Sequence, residues 1–150
     1  MENRIISIYS DNHPTRYWYD IDNFFKNEDV LTESQMRGNR KMQINSNDEI
    51  YILCRYRNER NEIKYRCRVI ETDIDSINEE DPYEHNANEN SSSPYYFKAK
   101  LIDAYEDGNF PLEILRELNL VSNHYQLNGD RVQQPLLDYI EQNQRIVDNC

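Results

Sequence analysis

Hydrophobic and polar positions alternate along this chain in short bursts. Arg4–Tyr9 (RIISIY) is β-branched and aromatic and predicts a first strand. A polar turn containing Pro14 follows, and Tyr17–Phe25 then places five aromatics in nine positions. Asp20 or Asp22 is placed to cap a short helix running to about Lys26. Glu33–Lys41 is polar and predicts a loop or a single helical turn. Asp48 and Glu49 form a turn before a strand at Ile50–Tyr56, and Arg57–Asn61 is a polar connection. Ile63–Thr72 then alternates, with Ile63, Tyr65, Cys67 and Val69 on one face and Lys64, Arg66 and Arg68 on the other. The expectation is a hairpin with an apolar face inward and a basic face outward.

Asp73–Ser93 is acid-rich, has no Lys or Arg, and predicts a long mobile loop. Tyr95–Tyr105 returns to strand character, with Tyr96, Lys98 and Lys100 opposite Phe97, Ala99 and Leu101. Pro111 opens a helix with Leu112, Leu115 and Leu118 toward the core, and Asn119 is its stop. Asn128-Gly129 is a turn signal. Pro135–Arg145 predicts a last amphipathic helix with Leu136, Leu137 and Ile140 inward. The order β, short α, β-hairpin, loop, β, α, α is that of an α+β fold. The expected architecture is one domain: a small, mostly antiparallel curved sheet or open β-barrel with short helices at its ends.

Composition refines this picture. The chain of 150 residues fits one domain, but its apolar fraction is only 37%. Twelve Tyr, four Phe and one Trp compensate with large, stiff contact surfaces. A uniformly acidic chain of net charge -11 would repel nucleic acid and anionic membranes. The charge is not uniform. Arg37 to Arg68 holds nine basic residues against four acidic ones, leaving eight basic against 24 acidic elsewhere. Three cysteines, with Cys54 and Cys67 in strand-like runs, are no disulfide framework. Without an apolar N-terminal run, neither a leader nor a membrane partner is expected, and the cytoplasm is the expected compartment.

Candidate chemistry is sparse. His13, His85 and His124 are scattered, and Cys54 and Cys67 alone make no zinc site, so no metal and no cofactor is expected. Three separated glycines exclude a Gly-rich phosphate loop. Asp48, with Glu62-Ile63-Lys64 opening the next strand, matches the skeleton of metal-dependent nucleases, in which carboxylates hold Mg²⁺ and a Lys steadies the hydroxide. The alternative for these residues is a turn acid and a solvated strand face. Gly38 lies in a basic stretch, Met36–Arg40, that is either a phosphate-approaching loop or plain solvated chain. Tyr17-Trp18-Tyr19 cannot all face one core, so at least one ring serves a second core or a pocket. Stacking on such rings is how a flipped base is gripped.

The order of these parts resembles the EVE-like branch of the PUA superfamily of small β-barrel nucleic-acid-binding domains. The resemblance is carried by Tyr17-Trp18-Tyr19, then Asn47-Asp48-Glu49-Ile50-Tyr51-Ile52-Leu53, then Tyr95–Leu101, Pro111–Leu115 and a terminal helix. It covers most of the chain as a pattern of parts. Asn47 stands where that family has Gly, and the acidic insertion is a further departure. The resemblance implies a reader of modified bases, free-standing or fused to an effector subunit in a modification-dependent restriction or defence system. Trp18, Tyr17 and Tyr19 would form the cage, with Asn39 approaching the base. Arg37, Arg40, Lys41, Arg55, Arg57, Lys64, Arg66 and Arg68 would meet phosphates.

Three functions follow. The first is a nucleic-acid-binding module, with DNA the foremost partner. The second is an acidic interaction module or inhibitor of a basic protein. The third is the metal-dependent nuclease. Binding rather than catalysis is expected.

Overall fold

A computed structural model describes residues 1–57, 60–75, 81–86, 95–121 and 128–147. The class is α+β, with strands outweighing three short helices. The strands are β1 (Asn3–Tyr9), β2 (Trp18–Tyr19), β3 (Val30–Ser34), β4 (Met36–Arg37), β5 (Arg40–Lys41), β6 (Glu49–Arg55), β7 (Asn61–Ile74), β8 (Glu84–His85), β9 (Tyr96–Ala104) and β10 (Asp130–Arg131). The helices are α1 (Ile21–Asn27), α2 (Leu112–Glu117) and α3 (Gln134–Asn143). Six strands form one open sheet in the order β10-β1-β6-β7-β9-β3, and β2-β8 and β4-β5 are separate two-stranded ribbons. All pairings in the main sheet are antiparallel except β1 with β6, which run parallel from Asn3↔Glu49 to Tyr9↔Arg55. No helix among the described residues is long and apolar enough to cross a membrane.

The sheet is covered on both faces. On one side α1 packs Ile21, Phe24 and Phe25 against Ile6, Ile8, Ile52, Tyr65, Val69 and Phe97. On the other, α2 and α3 pack Leu112, Leu115, Leu136 and Ile140 against Ile5, Tyr51, Leu53 and Ile63. This explains the imperfect alternation of IYILC: β6 has a parallel neighbour and helices on either side, so Glu49 to Cys54 are all buried. α1 begins after Asp20, one of the two expected cap positions, but the Asp20 side chain makes no capping hydrogen bond and Asp22 lies in the first turn. Asn47 adopts φ 77 in the turn before β6, the left-handed conformation that Asn tolerates. Asp48 closes that turn by accepting the Glu2 and Asn45 backbone N–H groups at 3.0 and 2.9 Å.

Several expectations are corrected. Glu33–Lys41 is neither loop nor helical turn. It carries the end of β3, which pairs with β9, and the β4–β5 hairpin, where Gly38 takes φ 64 at the tip. The expected acidic loop is partly ordered: β7 runs through Ile74, and β8 pairs Glu84 and His85 with Tyr19 and Trp18. The remaining stretches of that loop, 76–80 and 87–93, lie outside the described residues, as do His124 and Cys150. Leu118 sits past the end of α2 and is exposed rather than inward, while Leu137 is half-buried. Ile63 does not share a face with Tyr65, Cys67 and Val69. The register slips where Ile52 opposes Tyr65 and Leu53 opposes Ile63, so Lys64 is the extra residue of a β-bulge. That bulge sends Ile63 to the α2 side and the other three to the α1 side.

Candidate nucleic-acid interface

The expected basic outer face is mostly an internal ion-pair network. Arg66 holds Glu49 with two hydrogen bonds, at 2.6 and 3.0 Å, and donates to Asp103 at 2.7 Å. Glu49 is almost fully buried, and its acceptors raise the Arg66 pKa further. Arg68 is exposed and sits 3.7 Å from Glu49. Lys64 is buried, with its ammonium 3.2 Å from Asp22 and 2.9 Å from Asp107. Asp22 also accepts the Tyr56 hydroxyl at 2.6 Å and the Tyr65 hydroxyl. Burial, before that carboxylate, pushes both phenols above their ordinary range. Arg37 donates to the Ser34 carbonyl at 2.7 Å and lies 3.8 Å from Glu33. Lys41 pairs with Asp73. Lys64, Arg66, Arg37 and Lys41 are thus engaged by the protein itself, and the outward-facing basic strand is corrected on that ground. Arg40 and Asn39 are exposed at the β4–β5 hairpin.

The aromatic triplet divides. Tyr19 is buried in the α1-side core and donates to Asp81 at 2.6 Å. It is therefore a core residue and not a cage wall. Trp18 points the other way and stacks on His85, with ring centroids 4.2 Å apart and planes at 10°. Tyr17 is half-buried, 3.4 Å from Glu84. Desolvation first, then Glu33 and Glu84, raise its pKa. Tyr17 and Arg37 both feel the Glu33 charge, so these two expected site residues do come together. Burial raises the Glu33 pKa despite Arg37.

The structure builds a different cleft, which the sequence pattern did not reveal. The parallel strands β1 and β6 end side by side at Tyr9 and Arg55, and the Ser10 N–H joins the Arg55 carbonyl at 2.9 Å. The segments beyond these ends enclose an open cavity of about 600 Å³ lined by Tyr9, His13, Arg16, Arg55, Tyr56 and Arg57, with Pro14 and Asn61. Of the expected site residues, only Arg55 and Arg57 line it. Arg16 lies over the Tyr9 ring at 4.1 Å, and Arg60 over the Tyr56 ring at 4.4 Å. Two described acids touch lining residues: Asp11 accepts the Arg57 backbone N–H at 2.8 Å, and Asp22 the Tyr56 hydroxyl at 2.6 Å. His13 Nδ1 accepts the Thr15 and Arg16 backbone N–H groups at 3.2 and 2.8 Å. Desolvation, then the charges of Arg16 and Arg57, lower its pKa. An Nδ1 that accepts two N–H groups carries no proton, so the ring proton sits on Nε2, available as a donor. Burial first, and then the charge of Arg116 on α2, lower the pKa of Arg55. Guanidinium groups arranged beside ring faces suit an anion that can be held bidentately, such as a phosphate or carboxylate. The signal in the sequence was thin: Tyr9, His13 and Arg16 lie in a segment that reads only as strand end and polar turn.

The nuclease skeleton is not assembled. Asp48 lies beside the start of β6, whereas Glu62 lies opposite Cys54 at its far end, about 20 Å along the strand. Glu62 is buried and accepts the Gly108 N–H at 3.2 Å. Among the described residues no group of three or more His, Cys, Asp or Glu is placed to hold a metal ion. Cys67 opposes Ile50 and Cys54 opposes Glu62, about 13 Å apart along the ladder and too far to bridge.

No family model and no curated protein matches the chain. Two solved structures resemble it in fold. A hypothetical protein from Leishmania major superposes with TM-score 0.58 at 14% identity, covering 95% of this chain and 93% of that one. A protein from Pseudomonas putida superposes with TM-score 0.54 at 12% identity, covering 91% and 97%. At these identities the likeness is one of fold alone.

Proposed function

We propose that this chain is a nucleic-acid-binding module whose contact site is the cleft at the ends of β1 and β6. The observation that carries the reading is the meeting of three guanidinium groups, a neutral imidazole and two tyrosine rings around one cavity in a chain of net charge -11. Guanidinium groups suit phosphate oxygens bidentately, and tyrosine faces suit bases. Local positive potential inside an acidic envelope favours an anion that enters the cleft and disfavours one lying elsewhere on the surface.

The finer reading is recognition of a modified base by an EVE-like domain of the PUA superfamily, and it rests on the order of parts in the sequence. The extruded base would meet the exposed Tyr9 ring and Tyr56, and the Trp18–His85 stack lies outside this lining. Tyr19, fixed in the core, takes no part.

Fluorescence anisotropy tests this reading directly. Single- and double-stranded DNA and RNA oligonucleotides, with and without modified cytosine, are titrated at two salt concentrations. Binding that weakens with salt, strengthens with one modification, and is reduced by Arg16→Gln supports it. Salt-independent binding counts against the phosphate contacts; no binding across the panel with the protein folded refutes the reading and leaves a protein partner.

A further inference from the structure

We propose that the cleft takes a phosphomonoester joined to a nucleoside, in preference to the internal phosphodiesters of a continuous strand. This is the chemistry shared by a free nucleotide and by a phosphorylated nucleic-acid end. The inference rests on the reading of the cleft as a nucleic-acid contact, and it narrows that reading.

The first ground is where the cations are. A protein that tracks a nucleic-acid backbone offers a groove lined with positive charge over several nucleotides. Here most described candidates for such a groove are bound to internal acids. Lys64 is held by Asp22 and Asp107, Arg66 by Glu49 and Asp103, and Lys41 by Asp73. Arg16, Arg55 and Arg57 meet at one cavity of about 600 Å³, a volume suited to a single small ligand.

The second ground is the field around that cavity. In a chain of net charge -11, each phosphodiester lying outside the cleft meets a repulsive surface. A monoester carries roughly -1.5 to -2 at pH 7, against about -1 for a diester. It therefore gains more from the cleft while extending no further across the acidic exterior.

The third ground is the arrangement of the arginines. Arg55 sits in the cleft wall, and Arg57 and Arg16 reach the same cavity from the two flanking segments. Three guanidinium groups around one cavity match the three free oxygens of a terminal phosphate, where an internal phosphodiester offers only two. The imidazole Nε2 proton of His13 adds a neutral donor, and Tyr9 and Tyr56 supply ring faces for the attached nucleoside.

The experiment uses one internally labelled single-stranded oligonucleotide carrying a terminal phosphate at its 5′ end, at its 3′ end, or at neither, together with a circular form. A nucleoside monophosphate and the matching nucleoside serve as competitors. The expected result is affinity about tenfold higher for one phosphorylated end than for its hydroxyl twin and for the circle. Displacement by the monophosphate at comparable concentration identifies free nucleotide as the source; displacement only at far higher concentration identifies the strand end. Arg57→Gln, at an exposed rim position, erases the preference, while Arg68→Gln, at an exposed position outside the cleft, preserves it. Equal, salt-sensitive affinity for all forms overturns this inference and leaves the nucleic-acid reading standing. Absence of binding by every form overturns both.

Discussion

Removing the carboxylate of Asp22 probes how α1 is fastened to the sheet. Asp22, in the first turn of α1, accepts the hydroxyls of Tyr56 and Tyr65 and faces the Lys64 ammonium at 3.2 Å. A hydrogen bond to a charged acceptor contributes about 1.5–3 kcal/mol, so two lost bonds set an upper range of roughly 3–6 kcal/mol. Two features reduce it. The Asp22 side chain is 31% exposed, so water reaches the vacated acceptor position, and Lys64 keeps Asp107 at 2.9 Å. Asp22→Ala is therefore expected to cost about 2–4 kcal/mol, a fall in Tm on the order of 10 °C. Tyr65→Phe is expected to cost about 1–2 kcal/mol alone and much less in the Asp22→Ala background. Urea denaturation of the parent, both single variants and the double variant measures this coupling. Asp22→Ala within about 0.5 kcal/mol of the parent, or strictly additive variants, would refute the argument that this carboxylate joins helix and sheet.

Arg66→Met leaves the buried Glu49 facing only Arg68 at 3.7 Å, and a loss of about 2–4 kcal/mol is expected by denaturant titration. Adding Glu49→Gln to that variant should recover part of the loss; no recovery would mean that Arg66 acts by packing alone. Burial holds the Cys54 thiol up at about 12, and pushes Cys67 the same way. Alkylation of the native protein at pH 8 should therefore spare both cysteines, and peptide mapping that finds either modified without unfolding contradicts this. Tyr17, Tyr19, Tyr56 and Tyr65 have pKa values raised by burial first, so the fold holds their neutral forms. Below about pH 10 neither state ionises and the contribution is full; above it the unfolded chain loses protons that the native chain keeps, so stability falls as pH rises. Phenolate absorbance from these residues should appear only together with loss of circular dichroism. Ionisation near pH 10 with the fold intact contradicts the burial argument.

What the sequence made legible was whatever depends on local pattern. β1, α1, β6, β7, β9, α2 and α3 all announce themselves through alternation, apolar periodicity or turn residues, and Asn47 marks a turn that forms. What stayed hidden depends on pairing across the chain. β3 is short and partly polar, and it becomes a strand because β9 offers an edge from Val30↔Lys100 to Ser34↔Tyr96. The bulge at Lys64 leaves no trace in a pattern that alternates cleanly through it. Counting charges found the basic stretch but not its partners, because Asp22 lies 42 residues from Lys64 and Asp103 lies 37 from Arg66. The cleft is the clearest instance. Tyr9, His13 and Arg16 meet Arg55 and Arg57 only because β1 and β6 run parallel, a contact between segments 46 residues apart, as in the Arg57–Asp11 bond.

Amide chemical-shift mapping during titration with a single-stranded oligonucleotide tests most directly whether this cleft is the binding site. The expected result is a set of perturbations confined to the end of β1, the segment through Arg16, and residues 55–57 and 60–61, lost in an Arg16→Gln, Arg57→Gln double variant. Perturbations centred instead on Trp18, Glu84 and His85, or spread along Arg66 and Arg68 while the cleft stays silent, would contradict it.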